Sequence, residues 1–173
     1  MIKNQKKKCI ILHGSSCIGK SYIMNKIYVS KLDDYSKLEM DNCGYWKNHP
    51  NDTKKKNEIC VDFLIKNIKN KNMIVTCGGL PAPCSENAYE IYKNIETKYN
   101  IEIKHILVLC KNIINYKKNI IKRGLGKNMN ELLKSYKWRY DNKQYYDRII
   151  YNDPNLIFSK NKVEKILDFS CEL

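Results

Sequence analysis

The run Gly14-Ser15-Ser16-Cys17-Ile18-Gly19-Lys20-Ser21 constrains this chain more than any other stretch of it. It satisfies the pattern G-x-x-x-x-G-K-[ST] in full, and its flanks supply the context the pattern needs. Cys9-Ile10-Ile11-Leu12-His13 is an apolar run of strand length, and Ile23, Met24 and Ile27 recur at helical spacing behind it. A strand that turns through glycines into a helix aims successive backbone N–H groups at one anion, and the helix adds its own N-terminal amides and dipole. Gly14, Ser15, Ser16, Cys17, Ile18, Gly19, Lys20 and Ser21 are therefore expected to hold the phosphates of ATP. In that arrangement Lys20 reaches the β- and γ-phosphates and the Ser21 hydroxyl meets Mg2+.

Short apolar runs alternate with longer amphipathic ones along the rest of the chain, the order of a βαβ protein. Further strands are predicted at Ser36–Met40, Met73–Cys77, Ile103–Leu109 and Leu156–Phe158. Helices are predicted over 54–69, from a Ser85 cap through Ile95, over 113–123 with Gly124 as C-cap, across Glu131–Tyr151, and over 163–169. Right-handed crossovers then give a three-layer α/β sandwich with its ligand at the carboxyl ends of the strands, where Gly14, Asp41, Gly78 and Lys111 fall. With 173 residues, no internal repeat and no Pro/Gly/Ser linker, the chain reads as one domain, 1–173. It divides into a basic tail (1–8), an acceptor-binding segment (about 42–72) and a short lid (about 123–130).

No apolar run approaches the roughly 20 residues of a membrane helix, and the stretch after the basic N-terminus is too short for a secretory signal, so a cytoplasmic protein is expected. The eight cysteines include no Cys-x-x-Cys pair and the three histidines lie far apart, which favours reduced, structural thiols over a metal site. The net charge of +14 has two readings. It suits a polyanion such as nucleic acid. It also fits a coding preference, because the chain is saturated with Lys, Asn, Ile and Tyr, the residues of A/T-rich codons, as in some parasites or large viruses.

The phosphate loop is shared by GTPases, helicases, transporter ATPases and small kinases. A GTPase needs N-K-x-D after a later strand, whereas Asn112 is followed by Ile113-Ile114; an ATPase carries a carboxylate at the end of an apolar strand, whereas the third strand here ends in Thr76-Cys77-Gly78-Gly79. The remaining set resembles shikimate kinase and the nucleoside monophosphate kinases. The resemblance implies a five-stranded parallel sheet of order 2-3-1-4-5 with helices on both faces. It makes Glu39-Met40-Asp41 similar to the family's Asp-x-Asp, with Glu39 on Mg2+ and Asp41 on the acceptor hydroxyl, and it places Gly78 and Gly79 against the acceptor. Arg123 matches an arginine of the lid, and Arg139 one in the helix that follows. Between Trp46 and Asn72 only lysines occur where the family sets an arginine on the acceptor, so the acceptor is left open.

Arg123, Arg139 and Arg148 are the only arginines among 32 basic residues, and all fall in the lid or beyond it. A guanidinium matches phosphate oxygens in a planar fork, which makes Lys20, Asp41, Arg123 and Arg139 the expected catalytic set. The expectation is a monomeric or weakly dimeric ATP-dependent phosphotransferase acting on a small-molecule or nucleotide acceptor. Two rivals stand beside it: a nucleotide or polynucleotide 5′-hydroxyl kinase, and a nucleotide-dependent nucleic-acid-binding module with little catalysis.

Overall fold

The computed structural model describes residues 6–30, 34–44, 52–68, 72–153 and 160–167. Five strands form one parallel sheet in the order β2-β3-β1-β4-β5. They are β1 (Lys7–His13), β2 (Tyr35–Glu39), β3 (Asn72–Thr76), β4 (Ile101–Cys110) and β5 (Arg148–Asn152). The helices are α1 (Lys20–Ser30), α2 (Thr53–Asn67), α3 (Ala88–Tyr99), α4 (Ile113–Lys122), α5 (Met129–Asp141) and α6 (Lys160–Leu167).

The apolar run at β1 is continuous because the strand is buried on both faces. Ile10 and Leu12 join one core with Ile23, Met24 and Ile27 of α1, Tyr116 and Ile120 of α4, and Val163 and Ile166 of α6. Cys9 and Ile11 join the other, with Cys60 and Leu64 of α2 and Tyr92 and Ile95 of α3. Alternation along one strand thus feeds two cores, and each fully buried isoleucine contributes about 1.5–3 kcal/mol. Local signals set the helix ends. Asp52 caps α2 by accepting from the Lys55 amide at 2.9 Å, and Asn112 caps α4 by accepting from the Ile114 amide at 2.8 Å. Gly124 follows α4 in the left-handed region, as the sequence predicts.

Two sequence expectations are corrected. The segment predicted as one helix over Glu131–Tyr151 stops at Asp141 and then supplies β5, which pairs in parallel with β4 from Ile106↔Arg148 to Cys110↔Asn152. The fifth strand is therefore Arg148–Asn152, and the predicted Leu156–Phe158 lies outside the described residues. β5 is an edge strand with Ile150 buried and Ile149 and Tyr151 exposed, so its weak alternation blends into the helical pattern before it. Ser85 does not cap α3 through its side chain; Asn87 precedes that helix, and the Ser85 carbonyl accepts from the Ala88 amide at 3.1 Å.

Candidate active site

β1 delivers the chain to the carboxyl edge of the sheet, where Gly14 turns with φ +149°. A Cβ on Gly14 would stand 2.8 Å from the Val108 carbonyl oxygen and 2.9 Å from Ile18 Cγ2, so only glycine fits against β4 there. Three side chains far away in sequence brace the loop. The Tyr116 hydroxyl donates to the Ser16 carbonyl at 3.0 Å, Asn152 Nδ2 donates to the Ile18 carbonyl at 2.7 Å, and Ser15 Oγ donates to Ser135 Oγ at 3.2 Å. Ile18 turns its side chain into the core, so within the loop it offers only backbone to a ligand. Lys20 Nζ donates to the carbonyls of Gly14 at 2.9 Å and Ser15 at 3.1 Å.

A cleft of about 220 Å3 opens over this loop. Its floor includes Gly14, Ser15, Ser16, Cys17, Gly19, Lys20 and Ser21; one side is Asp41, Thr76, Cys77, Gly78 and Gly79; Arg123, Leu132, Ser135 and Arg139 close the other. Lys20, Asp41, Arg123, Arg139, Gly78 and Gly79, separated by up to 119 positions in the chain, thus face one space. Asp41 enters it from the 3-10 turn Met40–Cys43 that follows β2. Glu39 pairs with Thr76 across the β2–β3 ladder, and Thr76, not Glu39, is among the cleft-lining residues. Leu80, directly after Gly79, is buried in the second core. Arg148 lies in β5, away from the cleft lining.

The charge in this cleft is lopsided. Among the described residues, Lys20, Arg123 and Arg139 meet a single carboxylate there, Asp41. Burial lowers the Lys20 pKa from its ordinary value; Arg139 pushes it the same way while Asp41 opposes. Arg139 donates through Nη1 to the Ser135 carbonyl at 3.3 Å and to Ser135 Oγ, and its Nε is buried without a partner among the described residues. A buried donor left unmade costs about 1–3 kcal/mol, and Arg139 is one of the residues lining the cleft. The residues present therefore fit a polyphosphate. Ser21 and Asp41 line the cleft as the hydroxyl and the carboxylate that would accompany a magnesium ion, whose chemistry would be to neutralise charge on the phosphates; Glu39, the carboxylate expected in that role, is not in the lining.

Gly78 shapes the Asp41 side of the cleft. A Cβ there would collide with Asp41 Oδ1 and stand 3.3 Å from the Asp41 amide nitrogen. Gly78→Ala is therefore expected to displace the Asp41 carboxylate and cut phosphoryl transfer by roughly a hundredfold, with ATP affinity within about twofold of the parent. Steady-state kinetics beside an ATP titration check this. Unchanged kinetics would remove Asp41 from the site.

Sequence reasoning missed the braces Tyr116, Asn152 and Ser135, because nothing in a polar side chain announces a contact 100 or more positions away. His13 is fully buried, and its Nε2 shares a 2.9 Å hydrogen bond with His105 Nδ1. Burial lowers both pKa values, that of His105 to about 4 with Asp147 opposing, while His105, Arg139 and Lys20 add to the effect at His13. Below pH 6.5 the unfolded chain binds protons that these folded imidazoles refuse. Stability is thus fully present above pH 6.5 and is lost as pH falls toward 4. The melting temperature should fall across that window, and His105→Asn should reduce the slope between about pH 6.5 and pH 5.

No protein-family model and no curated protein sequence matches the chain. Solved structures do. Shikimate kinase from Bacteroides thetaiotaomicron superposes with a TM-score of 0.58 at 14% identity over 92% of this chain and 93% of that one. The tunicamycin resistance protein of Deinococcus radiodurans gives 0.60 at 10% identity over 93% and 94%, and a gluconokinase from Sinorhizobium meliloti 0.54 at 12% over 95% and 91%. The chain has the fold of the small P-loop kinases. At these identities the likeness carries the fold alone, and it does so over nearly the full length of both chains. Within the P-loop kinase fold, the strand order β2-β3-β1-β4-β5 agrees with the order expected from the sequence. Among the described residues no helix is long and apolar enough to cross a membrane, and no group of three or more His, Cys, Asp or Glu could hold a metal.

Proposed function

We propose that this protein is an ATP-dependent phosphotransferase that moves the γ-phosphoryl group to a hydroxyl of a small-molecule or nucleotide acceptor. One observation carries the reading: the phosphate loop and Asp41 face each other across one cleft whose third side bears two arginines. The loop amides and Lys20 hold the triphosphate. Asp41 orients the acceptor hydroxyl and takes its proton as the oxygen attacks the γ-phosphorus. Gly78 and Gly79 let the acceptor approach the backbone, and Arg123 and Arg139 gather charge on the transferring group, Arg123 from a lid over about 123–130. The opening lined by Cys110, Lys111, Asn112, Ile113, Asn115, Asn152 and Asp153, at the ends of β4 and β5, adjoins the loop through the Asn152–Ile18 contact and suits the nucleoside half of ATP.

Labelled ATP offered with shikimate, gluconate, nucleosides, nucleoside monophosphates and 5′-hydroxyl oligonucleotides tests the reading. Transfer to one of them, lost in Lys20→Ala, is expected. Tight ATP binding with no transfer to any of these would count against a kinase.

A further inference from the structure

We infer that the acceptor is the 5′ end of a single-stranded nucleic acid, held on the basic and aromatic surface that runs from α4 through α5; the inference rests on the phosphotransferase reading above. The first support is where the charge sits. Between Lys111 and Lys143 there are ten Lys or Arg against two Asp or Glu, so +8 of the chain's +14 lies in this segment, whereas Cys9–Cys110 carries only +3. A codon preference raises lysine throughout a chain; it does not gather lysine beside one cleft. Eight of the ten are exposed, Arg139 and Lys143 being half-buried. Ion pairs among the described residues take Lys111, 3.5 Å from Asp153, and Lys137, 2.7 Å from Asp141. The remaining acid of the segment is Glu131, on the first turn of α5.

The second support is an indole at the cleft's rim. α5 uses Leu132, Ser135 and Arg139 to line the cleft and Met129, Leu133 and Tyr136 to pack on the core. Trp138 belongs to neither set. It is 43% exposed, and its ring centre lies 5.8 Å from the Arg139 guanidinium carbon, so it flanks the transfer site. Lys134 precedes it by one helical turn on the same side of α5. A flat apolar ring and a cation side by side, just outside a phosphate site, match a nucleotide base and its backbone phosphate. A small polyol acid contained in the cleft has no use for either. α5 is about 20 Å long, room for several nucleotides to lie along it toward Lys127 and Lys122.

The step balances with ATP alone. The 5′-oxygen, the least hindered hydroxyl of a strand, bonds to the γ-phosphorus as the bond from that phosphorus to the β–γ bridging oxygen breaks. The proton passes to the Asp41 carboxylate and ADP leaves.

The test uses the full chain and a short oligothymidylate bearing a free 5′-hydroxyl and a 3′ fluorophore, with anisotropy and transfer from labelled ATP both followed. Binding should weaken about fiftyfold between about 50 and about 200 mM salt if some four phosphates are neutralised. Trp138→Ala should weaken it roughly tenfold and Trp138→Phe much less, with ATP affinity unchanged. Lys134→Glu combined with Lys127→Glu should lower both the affinity and the salt slope. Transfer to shikimate, gluconate or a free nucleoside, with the oligonucleotide neither bound nor phosphorylated, would overturn the inference and leave the kinase reading standing. Oligonucleotide affinity indifferent to Trp138→Ala and to the double lysine variant would overturn it as well, because the strand would then lie elsewhere. Absence of transfer to every acceptor would remove both.

Discussion

Lys20→Ala is expected to lower kcat/KM for phosphoryl transfer by about a thousandfold or more while the melting temperature stays within a few degrees of the parent. Transfer of a phosphoryl group needs little covalent help, so the loss of a positioned cation in a water-poor cleft falls almost wholly on the rate. The stability side follows from two opposing contributions at the same atom. The ammonium satisfies the carbonyls of Gly14 and Ser15 at 2.9 and 3.1 Å, which favours keeping it. Burial pulls its pKa below the ordinary lysine value, so at neutral pH the folded state holds a charge that the unfolded chain carries more comfortably. Truncation removes both effects, and they largely offset. Kinetics beside a thermal melt separate the outcomes: a collapse of the melting temperature comparable to the loss of activity would make Lys20 a structural residue.

Arg139→Ala is expected to cost about a hundred- to a thousandfold in kcat, with ATP affinity changed far less, and Arg139→Lys is expected to recover little of it. Arg139 is held by Ser135, whose Oγ also accepts from Ser15 of the phosphate loop at 3.2 Å. The guanidinium is therefore fixed relative to the loop before any ligand arrives, while its buried Nε keeps a donor unspent. A lysine has neither the fork nor the reach to use both. Arg123 is exposed at the end of α4, so Arg123→Ala should give a smaller loss. Equal losses in the two variants would place both arginines on the phosphoryl group to the same degree.

Much of this was legible in the chain itself. β1, the loop and α1 were readable because strand, glycine turn and helix start are all local features within 15 residues of one another. α2 and α4 were readable through the helical periodicity over 54–69 and the glycine that follows 113–123, while their caps, Asp52 and Asn112, are seen only in the structure. β5 was not. Arg148–Asn152 earns its strand state only from the ladder it makes with β4, and its single buried isoleucine, Ile150, left no pattern that a tyrosine-rich helix would not also show. The Asp153-Pro154 pair, a turn signal in the sequence, was the available clue.

By itself, the sequence determined the strand–loop–helix turn at Gly14–Ser21, because glycines, a lysine and a hydroxyl between an apolar strand and a helix specify that geometry locally. Only the tertiary structure decided what stands around it. Parallel pairing brought Asp41 and Gly78 to the same edge, packing of Tyr136 on the core turned Arg139 and Ser135 into the cleft, and Tyr116 and Asn152 came from remote elements to brace the loop. Those contacts depend on strand order and on how helices lie over the sheet, and neither is written in the spacing of nearby residues.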